Sequence, residues 1–440
     1  MSCSLRPVSA RGAIRLRDAA LLVLLALAQA MPLAAQELGL FRVTGSSGNQ
    51  PNGAVLNPAV HDGALLIAYS TNARNLGLDH QTGASQIYVQ DAVTDALELI
   101  SAAPNGLGSN GNASHPAFSG DARYVAFSSF ASNILGIDQP QFLTVYLRDR
   151  STQTTRRVSN GLNGLINGQA RYATVSDDGR YVAYYSQASN QVANDTNGLS
   201  DLLLTDMSTD ATERLSVSNS GAQVAEGALE HWTPSLSGDA RYAVFGARGN
   251  LTSTPDNTAF QIHLRDRLSQ TTQLLSVNAQ GQAGTSSSDQ PSISRNGRYV
   301  AFRSAAHNLV SGVLGGLFRL DRSTGQLLAL PTPPNSFACS VPAVSNRGDT
   351  SFVCADTAGG GRQAWLFRDP ASLFLLSPGL SGGVGNGIAE SWHAMGEHGV
   401  LMAYSSTATN IVPGDTNGLT DLFVAVDVDR LTQLFADGFE

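Results

Sequence analysis

The sequence contains no lysine: all 27 basic residues among its 440 are arginines, and they form no run. Charge of either sign is scarce, at 14% of residues against the roughly 25% usual in soluble domains. The net charge is -8 and the isoelectric point about 5.5. A phosphate-binding surface needs clustered cations, so nucleic-acid binding is excluded. Only three cysteines occur, too few for a disulfide-dense scaffold or a paired-cysteine zinc motif. No His-x-x-x-His or His-Glu-x-x-His spacing is present either. Beyond the first 35 residues no apolar run approaches the ~20 residues needed to span a bilayer. What remains is 42% hydrophobic residues and 44 glycines, with Ser, Thr and Asn filling the spaces between short apolar runs. That is a turn-rich β composition with ample apolar surface for a large core.

The N-terminus reads as an export signal. Arg6, Arg11, Arg15 and Arg17 precede an apolar stretch from Ala19 to Ala28, followed by the small-residue exits at Ala30 and Ala35. Cleavage after Ala35 is favoured, because Pro32 ends the apolar helix just before it. The expected organisation is a leader over 1–35, one domain over 36–435 and a short tail over 436–440, in the periplasm or outside the cell.

Within the domain a unit of roughly 56 residues recurs seven times. Its clearest mark is a hairpin: Pro116-Ala-Phe-Ser-Gly-Asp-Ala-Arg-Tyr-Val-Ala-Phe127, Val175-Ser-Asp-Asp-Gly-Arg-Tyr-Val-Ala-Tyr184, Pro234 to Phe245 and Pro291 to Phe302. Weaker copies begin at Pro58, Pro342 and His393. Each has a short apolar strand, an Asp/Asn/Gly turn and a Val- and aromatic-rich return. A third strand follows and stops at an acid, as at Asp91, Asp149, Asp206, Asp266 and Asp321. Recurrence of one acid in every unit points to scaffolding, since Asp at a strand end bonds its own backbone and starts the turn. A fourth strand completes each unit, as in Thr155-Arg-Arg-Val-Ser159.

Seven small antiparallel sheets cannot bury both faces alone, but packed radially they shield one another. The expected fold is all-β, a seven-bladed β-propeller of four-stranded antiparallel blades, with six or eight blades as the alternatives. Leu40-Phe-Arg-Val-Thr44 matches a fourth strand whose first three are missing, and the predicted closure pairs it with Leu422 to Val426; Leu431-Thr-Gln-Leu-Phe435 competes for that place. The Ser-x-Asp-Gly-x-Tyr-x-Ala-Phe hairpins resemble the exported TolB-like, WD40-like propeller repeat family over about residues 52 to 435. The resemblance implies a binding platform with varied partners. TolB itself resembles a propeller preceded by an α/β domain, so its partner set does not carry over.

Candidate sites gather on one rim. The connections into the innermost strands carry Asn112-Ala-Ser-His115, Glu230-His231-Trp232 and Glu390-Ser-Trp392-His393. Exposed Trp beside an acid or His suits capture of a peptide, glycan or small molecule; the competing reading packs both Trp between blades. The same rim carries two loops, Asp195-Thr-Asn197-Gly-Leu-Ser-Asp201 and Asp415-Thr-Asn417-Gly-Leu-Thr-Asp421. Their oxygen spacing is a partial match to calcium loops, short of the 6 to 8 ligands the ion takes; the bland reading is an Asx-turn. Gly379-Leu-Ser-Gly-Gly383 fits the nucleophile-elbow formula but lacks the strand-turn-helix setting that formula needs. Cys339 and Cys354 flank the turn at Asn346-Arg-Gly-Asp349, and a register centred between Asn346 and Arg347 sets them opposite each other, close enough for a disulfide.

The leading expectation is therefore an exported, monomeric, non-catalytic scaffold that binds a protein, peptide or glycan through this rim. The alternatives are a polysaccharide lyase or hydrolase using His115, His231 or His393 beside Glu230 or Glu390, and a calcium-stabilised structural propeller.

Overall fold

The computed structural model describes residues 38–436 except 45–47, 77–82, 137–140, 225–226, 229–233, 250, 253–258, 358–360 and 369–371. The leader expected over 1–35 and tail residues 437–440 lie outside the described residues. The chain forms seven sheets of four antiparallel strands in sequential order. Blades 1 to 6 span residues 55–99, 113–157, 170–214, 235–274, 288–329 and 336–375. Blade 7 takes three strands from 389–427 and its fourth from Leu38–Arg42. The first strand of each blade touches the first strands of both neighbours, all the way round from blade 1 through blade 7 and back. First strands therefore surround the axis and fourth strands lie outermost.

This topology gives two unlike faces. Hairpins joining first to second strands, and turns joining third to fourth, lie on one face, called here the hairpin face. The second-to-third loops and the blade-to-blade connections lie on the other, the loop face.

The core is the contact between blades. Second and third strands present an aromatic pair across the sheet: Phe127–Tyr146, Phe302–Phe318 and Tyr404–Phe423 stack at 5.7, 5.8 and 5.7 Å. Such pairs are worth about 0.5–1.5 kcal/mol beyond the area they bury. The apolar clusters run from blade to blade: Leu66, Ala68 and Val89 of blade 1 pack with Val125, Phe127 and Tyr146 of blade 2. Each sheet thus borrows its neighbour's face.

Closure follows the expected route. Leu38–Arg42 pairs antiparallel with Asp421–Asp427, from Leu38↔Asp427 to Arg42↔Phe423. Phe41 packs on the blade 1 side of the sheet, Leu38 and Leu40 on the other. The competing segment 431–435 is not a strand at all. It belongs to a C-terminal helix, Val428–Ala436, whose Leu431 is fully buried in the cluster shared by blades 7 and 1. In that helix Arg430 forms an ion pair with buried Asp349 of blade 6.

Cys339 and Cys354 are joined, with Cα atoms 4.0 Å apart. The pair Ser340↔Val353 next to them sets the register expected from the turn. The bond closes a loop of sequence separation 15. Replacing both cysteines by serine is expected to lower stability by about 3 kcal/mol, measured as a shift of the urea midpoint at unchanged slope.

Candidate functional site

The first strand of a blade bulges where it enters from the loop face. The residue there has a left-handed backbone in five blades: Asn57, His115, Tyr172, Gln290 and Val341, with φ from 50 to 60°. Register shifts mark the same place in the sheet ladders. The bulge turns these side chains toward neighbouring blades. Asn57 Nδ2 lies 3.3 Å from His115 Nε2, and the His115 ring meets Tyr172 edge-on at 4.7 Å. The backbone of Val341 donates to Gln290 Oε1 at 2.6 Å.

His115 is therefore packed between the first strands of the neighbouring blades. An amide donor at Nε2 leaves Nδ1 to donate to Ser114 Oγ, 2.9 Å away. Burial, with Arg171 adding to it, pushes the imidazole down to about 4, so it is neutral at pH 7. His393 sits inside the strand Ala389–Met395, opposite Tyr404, at the place that Pro116 holds in blade 2. Burial likewise lowers it to about 4. The contacts of His115 reach blades 1 and 3, whereas His393 belongs to blade 7, so these two candidates are not brought together. Trp392 lies in the same strand, one place before His393, as His115 lies one place before Pro116. Glu390 is partly buried in it. Glu230, His231 and Trp232 lie outside the described residues.

The two Asp loops share one construction. In blade 3, Gln223 Nε2 donates to Asp195 Oδ1 (2.8 Å) and to Asp201 Oδ2 (3.0 Å), while Arg214 faces Asp201 at 3.0 Å and Asp195 at 3.5 Å. In blade 7, Gln50 Nε2 donates to Asp415 (2.8 Å) and Asp421 (2.7 Å), and Arg42 faces both at 3.7 and 3.8 Å. Asn197 Oδ1 accepts from Leu199 N at 2.9 Å and Asn417 Oδ1 from Leu419 N at 2.8 Å, which are Asx-turns. Burial pushes Asp421 up to about 6, with Gln50 opposing it and Asp415 adding to it. Among the described residues no group of three or more His, Cys, Asp or Glu is arranged to hold a metal. Arg214, Gln223, Arg42 and Gln50 were not singled out in the sequence. The signal that could have found them is that each loop is accompanied by an Arg closing a fourth strand and a Gln eight or nine residues after it.

Loops and connections on this face are tied by asparagines. Asn190 Oδ1 accepts from Asn167 N (3.1 Å) and its Nδ2 donates to the Leu165 carbonyl (2.9 Å); Asn75, Asn133, Asn308 and Asn410 act alike. Leu162 N bonds the Asn190 carbonyl and Leu380 N the Asn410 carbonyl, both at 2.7 Å. These rigid turns hold Leu162 and Leu380 out at 62% and 54% exposure. Ten large apolar side chains are exposed among the described residues, and nine of them lie on the loop face: Phe130, Leu162, Leu165, Leu199, Leu314, Phe337, Leu380, Ile388 and Leu419. Only Leu268 lies on the hairpin face.

The hairpin face is charged instead. The Asp ending the third strand receives the hairpin arginine as a two-bond fork: Arg123 on Asp149, Arg180 on Asp206, Arg241 on Asp266 and Arg298 on Asp321. The same acids start the turn as expected, Asp149 accepting from Ser151 N at 2.9 Å. The arginine holds each carboxyl below its ordinary range, Asp266 at about 2. A carboxyl depressed on folding contributes stability above its unfolded value and loses it as pH falls through the folded one. Thermal stability is therefore expected to decline first between about pH 6.5 and 4, where buried neutral His115 and His393 resist the proton that the unfolded chain takes up, and the forks should add a steeper fall between about 4 and 2. Arg→Gln at all four forks should flatten that fall; an unchanged acid limb would show that other groups cause it.

No family model matches the chain, and no curated protein matches it at a significant level. Among solved structures it is similar to TolB from Acinetobacter baumannii, with 18% identity and a TM-score of 0.42 over 83% of this chain. The chain spans 65% of that protein's length. It is also similar to oligogalacturonate lyase from Vibrio parahaemolyticus, with 12% identity and a TM-score of 0.43, covering 85% of this chain and 98% of that one. The chain itself is a ring of seven four-stranded antiparallel blades.

Proposed function

We propose that this protein is an exported, non-catalytic scaffold whose loop face docks a protein or peptide partner. The observation that carries the reading is the segregation of exposed large apolar side chains onto that face, with the turns of Leu162 and Leu380 fixed by backbone hydrogen bonds. Exposed apolar side chains gathered on one face mark an interaction surface, and groups fixed before binding lose little entropy on docking. The Asp loops serve as mounts. Arg214 and Arg42 supply the positive charge that their carboxylates face, and each loop presents one leucine, Leu199 or Leu419. We assign no calcium to them. Export rests on the leader pattern of residues 1–35, and the chain is read as a monomer until a partner binds.

The test uses the full chain with a photo-crosslinking residue placed in turn at Leu162, Leu380 and Leu268, expressed with its native leader. A crosslinked partner is expected from the first two positions and not from the third, and Leu199→Asp with Leu419→Asp should abolish the product while the melting temperature stays unchanged. A product from Leu268 alone would overturn the reading. So would saturable cleavage of a polysaccharide by the purified chain.

A further inference from the structure

An asparagine followed by glycine can be attacked at its side-chain amide by the next backbone nitrogen, because glycine has no Cβ to hinder the approach. The chain contains ten such pairs. In nine of them the fold holds the asparagine side chain by hydrogen bonds, which keeps its Cγ away from that nitrogen. Asn110, Asn167 and Asn386 are fixed at both ends. Each accepts a backbone N–H at Oδ1 and donates from Nδ2 to the hydroxyl of Ser132, Ser189 or Thr409, at 2.8, 2.9 and 3.0 Å. Asn197 and Asn417 add to their Asx-turns a donation to the Val224 and Pro51 carbonyls, both at 2.9 Å. The longest holds are on Asn105, at 3.1 Å, and Asn160, at 3.3 Å. There the glycine nitrogen is engaged instead: Gly106 N donates to the Ala103 carbonyl at 2.9 Å and Gly161 N to the Gly164 carbonyl at 2.8 Å.

Asn163 is the exception. It is exposed, and it alone of the ten has no side-chain hydrogen bond among the described residues. The N–H of Gly164 meets the Gly161 carbonyl only at 3.3 Å, past the usual range. Gly164 is itself exposed, with nothing within 4 Å of where a Cβ would stand. The pair lies in the connection between blades 2 and 3, and the exposed Leu162 and Leu165 stand on either side of it.

We propose that Asn163 is a self-modification site, at which deamidation writes a carboxylate between two exposed leucines of the loop face. The Gly164 nitrogen gives its proton to solvent base and attacks Asn163 Cγ. An N–Cγ bond forms, the Cγ–Nδ2 bond breaks, and ammonia leaves a cyclic imide behind. Water then opens the ring. Cleavage of the new N–Cγ bond gives aspartate, and cleavage of the original peptide bond gives isoaspartate, with the chain running through the side chain. The balance is one water consumed and one ammonia released, with no oxidant or cofactor. Either product is ionised at neutral pH. A partner covering Leu162 and Leu165 must then desolvate that charge, so the modified chain docks less well. This consequence rests on the docking face proposed above; the modification does not.

The experiment incubates the full chain at mildly alkaline pH, once folded and once in urea, and follows all ten pairs by peptide mass mapping for the exchange of amide for acid. In the folded chain Asn163 is expected to convert at least about tenfold faster than any other pair, since giving up one hydrogen bond to reach the reactive geometry costs about that factor. Its rate should rise with pH, because the attacking nitrogen must lose its proton. In urea the lead should vanish. Equal rates in the folded chain, or a lead that persists in urea, overturns the site. Asn163→Gln should remove the fast product at an unchanged melting temperature; a fast product that survives this change belongs to another residue and also overturns it. Asn163→Asp, in the chain carrying the crosslinker at Leu162, should cut the crosslinked product several-fold, and an undiminished product overturns the effect on docking. A chain that converts at Asn163 but gives no loop-face crosslink in its native form would sink only the docking reading.

Discussion

Replacing Asp62 by alanine is expected to lower stability by about 3–5 kcal/mol, because it strips the acceptor from three backbone N–H groups at once, two of them buried. Asp62 belongs to the blade 1 hairpin, but its carboxylate enters the blade 7 hairpin. There it accepts from His398 N at 2.7 Å, Leu401 N at 2.7 Å and Val400 N at 3.3 Å. In blade 2 the corresponding donors are satisfied from within: Tyr124 N by Ser119 Oγ at 2.9 Å and Arg123 N by Asp121 at 3.0 Å. Blade 7 has Gly396 in place of that serine, and a side chain there would stand 1.9 Å from Asp62 Oδ1. The carboxylate therefore replaces two missing side chains and ties the last blade to the first. The melting temperature should fall on the order of 5 °C. Gly396→Ala should have a similar effect from the other side, and the double variant should be no worse than the more severe single one. Additive losses would show that the two residues do not act as one latch.

Removing the strand Leu38–Arg42 should be more damaging still. A purified chain beginning at Val43 leaves Asp421–Asp427 as an unpaired edge and uncovers the apolar surface under Leu38, Leu40 and Phe41. Three such side chains at about 1.5–3 kcal/mol each when fully covered, discounted for partial burial, give on the order of 5 kcal/mol. Loss of Arg42 also leaves Asp415 and Asp421 without the guanidinium they face. The total rivals the 5–15 kcal/mol of net stability typical of a domain. We expect aggregation through the open edge on size-exclusion chromatography and loss of near-ultraviolet ellipticity, with recovery when a peptide of residues 36–44 is supplied during refolding. A monodisperse truncated chain with native spectra would show that the ring does not depend on this strand.

The parts of this molecule legible in the sequence are those written in every unit. Ser119-Gly-Asp-Ala-Arg-Tyr124 and its copies announce the hairpin because the turn chemistry is local, and Cys339 and Cys354 could be paired because one turn sets their register. The Arg123–Asp149 fork was hidden although both residues recur, since nothing in the chain shows that strand pairing brings residues 26 apart side by side. Leu431-Thr-Gln-Leu-Phe435 was open to a strand reading because five residues fit two periods. Burial of Leu431 against the cluster of blades 7 and 1, together with the Arg430–Asp349 pair, selects the helix. The rim constellation was legible only as a list of chemically able residues. Whether His115 faces solvent or Asn57 is decided by a bulge whose left-handed residue can be His, Asn, Tyr, Gln or Val, so no residue type marks it.

Short-range chemistry, then, is what the chain carries openly: the period, the turns, the strand ends and hence the seven blades, each of which follows from neighbours a few residues apart. The ring decided the rest. Asp62 reaches blade 7 across 336 positions of sequence, Arg42 faces Asp421 from the other end of the chain, and nine apolar side chains share a face only because seven sheets turn the same way about one axis. Those relations arise from closure, which sets distances between residues that no local rule connects.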